Sequence, residues 1–169
     1  MKKLLNTPLT IDDIEFRVQS ITAKGAIILP YKNARVDMQR LDEAVGAVNW
    51  QREHRIINGQ NYCVVSIYDE TKNAWVSKMD VGTESNTEAV KGAASDAFKR
   101  TCFNWGIGRE LYDYPLIFIK LKPEEIANPK GFTYNLRNWK WKSRFSNGKL
   151  VYLGGHDGKS IRYEYGTRS

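Results

Sequence analysis

DVGTESNTEAVKGAASDAFKRTCFNWGIGRELY, residues 80–112, reads as the end of a strand, a turn, one long helix and a glycine-marked exit. Ser85 with Glu88 three residues later forms a capping box, because each side chain bonds an amide that the first helical turn leaves unpaired. Val90, Ala94, Ala97, Thr101 and Trp105, with Phe98 alongside, recur at helical spacing and make a small-residue stripe suited to lying close on a sheet. Gly106 and Gly108 end the helix. On its other faces Lys91, Ser95 and Lys99 follow one another by a turn, and Asp96 stands four residues before Arg100, the spacing of a helical ion pair. A solvated charged face is the plain account of these residues. Two features argue for more: the Lys99-Arg100 pair comes just before a Trp-Gly-Ile-Gly-Arg exit, and the strand leading in ends in Asp80-Val81-Gly82.

That run, Asp80-Val81-Gly82, then Glu88, Lys91 and Ser95-Asp96-Ala97-Phe98-Lys99-Arg100, resembles the signature of the single-strand annealing proteins of the Rad52 superfamily. Three more segments are similar to its phage-encoded, Sak-like branch: Asp13 to Gln19, Arg40 to Gly46 followed by Trp50-Gln51-Arg52-Glu53, and Gly106 to Arg109 with Leu111-Tyr112. In order, they span roughly residues 12–114. The resemblance implies an antiparallel sheet core, ring-shaped homo-oligomers, and annealing of complementary strands without ATP. It also places Lys99 and Arg100 on the basic pair that lines the DNA groove, with Lys91 nearby on the same helix. The remaining groove arginine falls on Arg35 or Arg40, with Arg35 preferred by its position at the helix start. Arg52, Arg55 and Arg109 are further candidates, each also readable as an ordinary surface arginine.

The totals fit that class. A chain of 169 residues with 41% hydrophobic residues suits one domain able to bury a core. Mean hydropathy is −0.53, and no run approaches the ~18 apolar residues of a membrane span. Met1-Lys2-Lys3-Leu4-Leu5 starts like an export signal, but Asn6, Thr7 and Pro8 interrupt it, so the expected location is the cytoplasm of a bacterial host. Cys63 and Cys102 lack metal-ligand spacing and read as small buried residues. The net charge of +7 is uneven: residues 130–169 hold nine Lys/Arg against two Asp/Glu, so the whole excess sits there.

Hydrophobic periodicity gives an order β-β-α-β-β-β-α. Ile14, Phe16 and Val18 alternate with polar neighbours, Lys24-Gly25 turns the chain, and Ala26 to Tyr31 supply a second strand. Asn33 caps a short helix with Met38, Leu41 and Val45 inward and Gly46 at its end. Val48–Ile57, Tyr62–Asp69 and Ala74–Val81 read as a meander turned at Asn58-Gly59 and at Glu70 to Asn73. The fold class is α+β, an antiparallel sheet with helices on one side. Residues 1–129 are expected to form the core domain. Residues 130–169 are a basic, aromatic, β-rich extension of the same domain, with turns at Asn147-Gly148 and Asp157-Gly158.

In that extension Trp139, Trp141 and Phe145 interleave with Lys140, Lys142 and Arg144, either as a second DNA or subunit contact or as the core of a small sheet. A nuclease reading rests on Asp80, Glu84, Glu88 and Asp96 as Mg²⁺ ligands, but capping and ion pairing already account for Glu88 and Asp96. No phosphate-cradling loop occurs, and His54 and His156 lack ligand partners. No catalytic residue, metal or cofactor is expected. Lysine and arginine neutralise phosphates without reading bases, which an annealing protein needs, since base pairing itself drives the reaction. The expected partners are single-stranded DNA, further copies of the chain, and a single-strand-binding protein.

Overall fold

The computed structural model describes residues 2–83 and 89–168, and the side chains of 4–83 and 91–168. Ser85, Glu88 and Glu84 therefore lie outside the described residues, as does the side chain of Val90. In chain order the elements are α1 (Lys2–Leu5), β1 (Ile14–Thr22), β2 (Gly25–Lys32), α2 (Ala34–Val45), β3 (Trp50–Ile57), β4 (Gln60–Asp69), β5 (Ala74–Val81), α3 (Ala89–Asn104), β6 (Ile117–Ile119), α4 (Pro123–Ala127), α5 (Pro129–Asn135), β7 (Lys140–Ser146), β8 (Lys149–His156) and β9 (Ile161–Gly166). The class is α+β, with antiparallel pairing in β2-β6, β3-β4-β5 and β7-β8-β9. The strands divide into three sheets of three, ordered β1-β2-β6, β3-β4-β5 and β7-β8-β9. The first hairpin thus joins β6 and not the central meander, because Ala26, Ile27 and Ile28 pair with the apolar run Ile117–Ile119.

One compact unit comprises Met1–Leu9 and Lys32–Arg109. The eight-residue pairing of β3 with β4 and of β4 with β5 puts Cys63, Val65 and Ile67 on one face, and α3 lies across it. Ala97, Phe98, Thr101 and Cys102 of that helix are fully buried there. Truncating Phe98 would cost about 3–5 kcal/mol. Thr101 Oγ1 donates to the Cys63 carbonyl at 2.9 Å and Trp105 Nε1 to the Val65 carbonyl at 3.0 Å, so helix and strand are also tied by polar bonds. The helix sits low because Gly82 lets it: a Cβ on Gly82 would lie 2.0 Å from the Ala93 carbonyl oxygen. Asn33 caps α2 through the Arg35 amide and Gly46 ends it, as its sequence indicates. The two cysteines are free and buried, and burial pushes the Cys63 thiol up to about 11, which leaves it unreactive.

The other unit comprises Thr10–Tyr31 and Glu110–Ser169. Ala26, Ile28, Ile117 and Ile119 of one sheet share a core with Leu153 of the other, sealed by Phe132, Leu136 and Trp139 from α5 and the turn that follows it. Arg162, 7% exposed, crosses this unit to Glu125 and Asp157, at 2.8 and 3.0 Å. Pro129 follows α4 and opens α5 at its first position, with the Asn128 side chain accepting from the Gly131 amide.

Candidate nucleic-acid interface

Helix α3 carries Lys91, Ser95, Lys99 and Arg100 outside its buried stripe, with Arg100 on the side of β5. Lys91 and Ser95 are exposed, and Lys99 and Arg100 are half-buried. Arg100 is held from the strand below it. Its Nε lies 3.8 Å from Asp80 Oδ1, with the side chains 42% and 27% exposed. Asp80 is itself fixed, accepting from Asn104 Nδ2 at 3.1 Å and from the Val81 amide at 2.8 Å. Asp96, expected to hold Arg100, instead accepts from the Thr83 amide at 3.0 Å and from its hydroxyl at 3.3 Å. The reason is local. Gly82 brings the chain leaving β5 against α3, so the unpaired Thr83 amide meets Asp96 first.

The other candidates separate by what they touch. Arg52, on the helix-facing side of β3, lies 4.6 Å over the Phe98 ring and remains exposed. Arg35 is exposed in the first turn of α2. Arg40 is occupied: its guanidinium donates to the carbonyls of Leu4 and Thr7 at 3.0 and 2.6 Å, fastening the N-terminal segment to α2. Arg109 likewise donates to the carbonyls of Phe103 and Asn104, at 3.0 and 2.9 Å, closing the C-terminal end of α3. Arg55 pairs with Glu53 on the opposite, outer side of β3. So the structure brings Lys91, Lys99 and Arg100 together on one helix and gives Arg40, Arg55 and Arg109 other work.

Three supporting residues escaped the sequence reading. Lys78 donates to the Asn104 carbonyl at 2.7 Å and lies 4.9 Å over the Trp105 ring, a second cation at the helix end. Lys32 and Asp37 form a buried ion pair, with side chains 1% and 0% exposed. The Lys32 ammonium also donates to the Ile107 carbonyl at 2.8 Å and sits 3.9 Å over the Phe103 ring. This clamps the glycine exit of α3 to α2. Burial pushes the Asp37 carboxyl up to about 6 against the pull of Lys32, Lys99 and Arg40, and its Oδ2 has no hydrogen-bond partner. The signal available was Gly106-Ile107-Gly108: Gly106 has φ 101, and a Cβ there would lie 1.9 Å from Asn6 Oδ1, so the exit packs where a side chain cannot fit.

In the other unit, β7 alternates Lys140, Lys142 and Arg144 outward with Trp141 and Phe145 half-buried. Trp139 is in the core and Trp141 stacks on Phe16 at 3.9 Å, so both tryptophans pack within this unit while the lysines between and beside them face outward. Arg144 donates to the Thr167 carbonyl at 2.7 Å. Of the four carboxylates considered for a metal, Asp80 and Asp96 are engaged as above, and Glu84 and Glu88 lie outside the described residues. Among the described residues, no group of three or more His, Cys, Asp or Glu side chains is placed to hold a metal ion. No helix among them is long and apolar enough to cross a membrane.

A row of part-exposed cations on a firmly seated helix is chemistry suited to holding phosphates by charge while leaving bases unread. Residues 1–125 match the family described as Rad52/22 family double-strand break repair protein. A relative from Deinococcus radiodurans, named single-stranded DNA-binding protein DdrA, is 32% identical over 119 residues, covering 68% of this chain and 56% of the relative. The chain thus matches little more than half of that protein's length. A second protein of that name, from Deinococcus deserti, is 32% identical over 137 residues, covering 77% of this chain and 67% of the relative. No solved structure matches.

Proposed function

The chain belongs to the Rad52/22 family of double-strand break repair proteins, and from that premise we propose that it binds single-stranded DNA through its backbone and anneals complementary strands without ATP. The observation that carries the reading is Arg100, seated against Asp80 on the sheet and offering its guanidinium beside Lys99 on a helix held at both flanks. Two complementary strands repel. A fixed cationic row that holds one backbone extended with its bases outward lowers the cost of bringing in the other, and pairing supplies the driving force. Lys91, Arg35 and the exposed Arg52 extend the contact. Several copies side by side, as a ring, would make the row continuous over a length of DNA. A single-strand-binding protein is the natural competitor or delivery partner on the same strand.

The test is pairing of two complementary oligonucleotides, one carrying a fluorophore and the other a quencher, in EDTA and without nucleotide. Acceleration at protein concentrations that saturate one strand is the expected result. Slower or unchanged pairing with tight binding would instead assign simple strand coating, the second reading, which the name of the Deinococcus relatives favours. Negative-stain microscopy with and without oligonucleotide reads the assembly state in the same samples.

A further inference from the structure

In the second unit, β1 and β7 are the outermost strands of their sheets, and with the Leu136–Asn138 turn they line a groove of about 900 Å³, the size of a site for a nucleotide-sized ligand. Its apolar lining includes Phe16, Leu136, Trp139 and Trp141. Phe16 is held flat, its ring 3.9 Å from that of Trp141 at an interplanar angle of 8°. Trp141 is braced in turn against the backbone of Gly155, where a Cβ would lie 2.8 Å from its ring.

The polar lining is mixed in sign but not evenly. Asp12 and Glu15 stand with Arg17, Arg137 and Lys140, and Glu15 is already bonded to Arg17 at 2.8 Å. Lys142 follows Lys140 on the same exposed side of β7, about 7 Å further along the strand. Positive charge therefore runs out of the groove in one direction, as a row of phosphates would need, while a rigid aromatic floor lies beside it. A pocket for a single compact anion would draw its cations inward.

We propose that this groove is a second contact for single-stranded DNA, separate from the α3 row. Phosphates of an extended strand pass Arg137, Lys140 and Lys142, and a base enters against Phe16. The inference rests on the reading that the protein binds single-stranded DNA. It lies outside the residues that match the family, except for the β1 side.

The test uses the full chain and labelled oligothymidylate. Arg137→Gln, Lys140→Gln and Lys142→Gln together should weaken binding about tenfold or more and lower the slope of log affinity against log salt by about 2, at roughly 0.7 for each single-strand phosphate no longer neutralised. Lys140→Arg with Lys142→Arg should bind as the parent does. Photocrosslinking with 4-thiothymidine in the strand should mark Phe16 or residues 136–142 as well as α3. Unchanged affinity and slope in the triple variant, or crosslinks confined to residues 89–109, overturns the groove and leaves α3 as the sole contact. Loss of a labelled alternating Glu-Leu peptide from the triple variant, with oligothymidylate binding intact, assigns the groove to a peptide and also overturns it. If the parent protein binds no oligothymidylate, both the functional reading and this inference fail.

Discussion

Arg100 leaves α3 with its Nε 3.8 Å from Asp80 Oδ1, so the cation is aimed by the strand beneath it and not by its own helix. The pair is part-exposed, which limits its energy to about 0.5 kcal/mol. Asp80→Ala should therefore weaken single-strand binding by roughly twofold. Asp96→Ala removes the acceptor of the Thr83 amide and should lower the urea midpoint without changing affinity in a matched titration. An affinity loss confined to Asp96→Ala would reverse this assignment.

Lys99→Ala with Arg100→Ala should weaken binding to all sequences alike. The log-log salt slope should fall by about 1.4, two phosphates at roughly 0.7 each. Anisotropy against oligothymidylate and a mixed-sequence strand at several salt concentrations measures both effects. Circular dichroism confirms that the variant is folded.

Lys32→Met alone strands a buried carboxylate and should destabilise the protein by about 3–5 kcal/mol, whereas Lys32→Met with Asp37→Leu should recover most of that loss. Urea unfolding of the two variants decides it. If the double variant is as unstable as the single one, the clamp on Ile107 matters more than the charges.

The Asp37 carboxyl sits at about 6 in the folded protein against an ordinary 3.8 because burial disfavours its charged form. The native state then binds more protons than the unfolded state between those values, so this group favours folding below about pH 4 and loses that contribution as pH rises through 6. Relative to Asp37→Asn, the parent should gain stability as pH is lowered across that window. Unfolding midpoints at pH 4.5, 5.5 and 7 give the comparison.

Arg162 bridges Glu125 and Asp157 with 7% of its side chain exposed. Its hydrogen bonds hold the Glu125 carboxyl below its ordinary value, over the opposing effect of burial. A depressed carboxyl stabilises the fold above its unfolded value and loses that contribution in acid. Arg162→Gln should cost about 3 kcal/mol at pH 7 and less at pH 3. A cost that stays constant with pH would mean that packing over Trp139, 5.1 Å below the guanidinium, accounts for it.

Local chemistry made the elements legible. Asn33, Gly46 and the Asn58-Gly59 turn act at short range, and the strands they bound begin and end within a few residues of where alternation places them. Partner choice between strands was not legible, because Ile27 and Ile28 have no local feature that prefers Phe118 and Ile117 to the meander. The same limit applies at the candidate site. Lys99 and Arg100 are visible as a pair on any reading of the helix, but spacing favours Asp96, four residues away, over Asp80, twenty away, and only the chain path at Gly82 decides which segment lies beneath which turn. Arg40 and Arg109 read as available cations because the carbonyls that occupy them, at Leu4, Thr7, Phe103 and Asn104, belong to chain ends and helix ends that no side-chain pattern marks.

Gly82 touches the main chain of α3 directly, with no side chain as spacer. The elevation of the cationic row above the sheet is thus fixed by an atom that is missing. A single methyl there would act as a shim under the helix, tilting Lys91, Lys99 and Arg100 out of alignment while every charge stayed in the sequence. If the α3 row is the binding surface, Gly82→Ala should weaken binding although electrostatics alone would score it as silent.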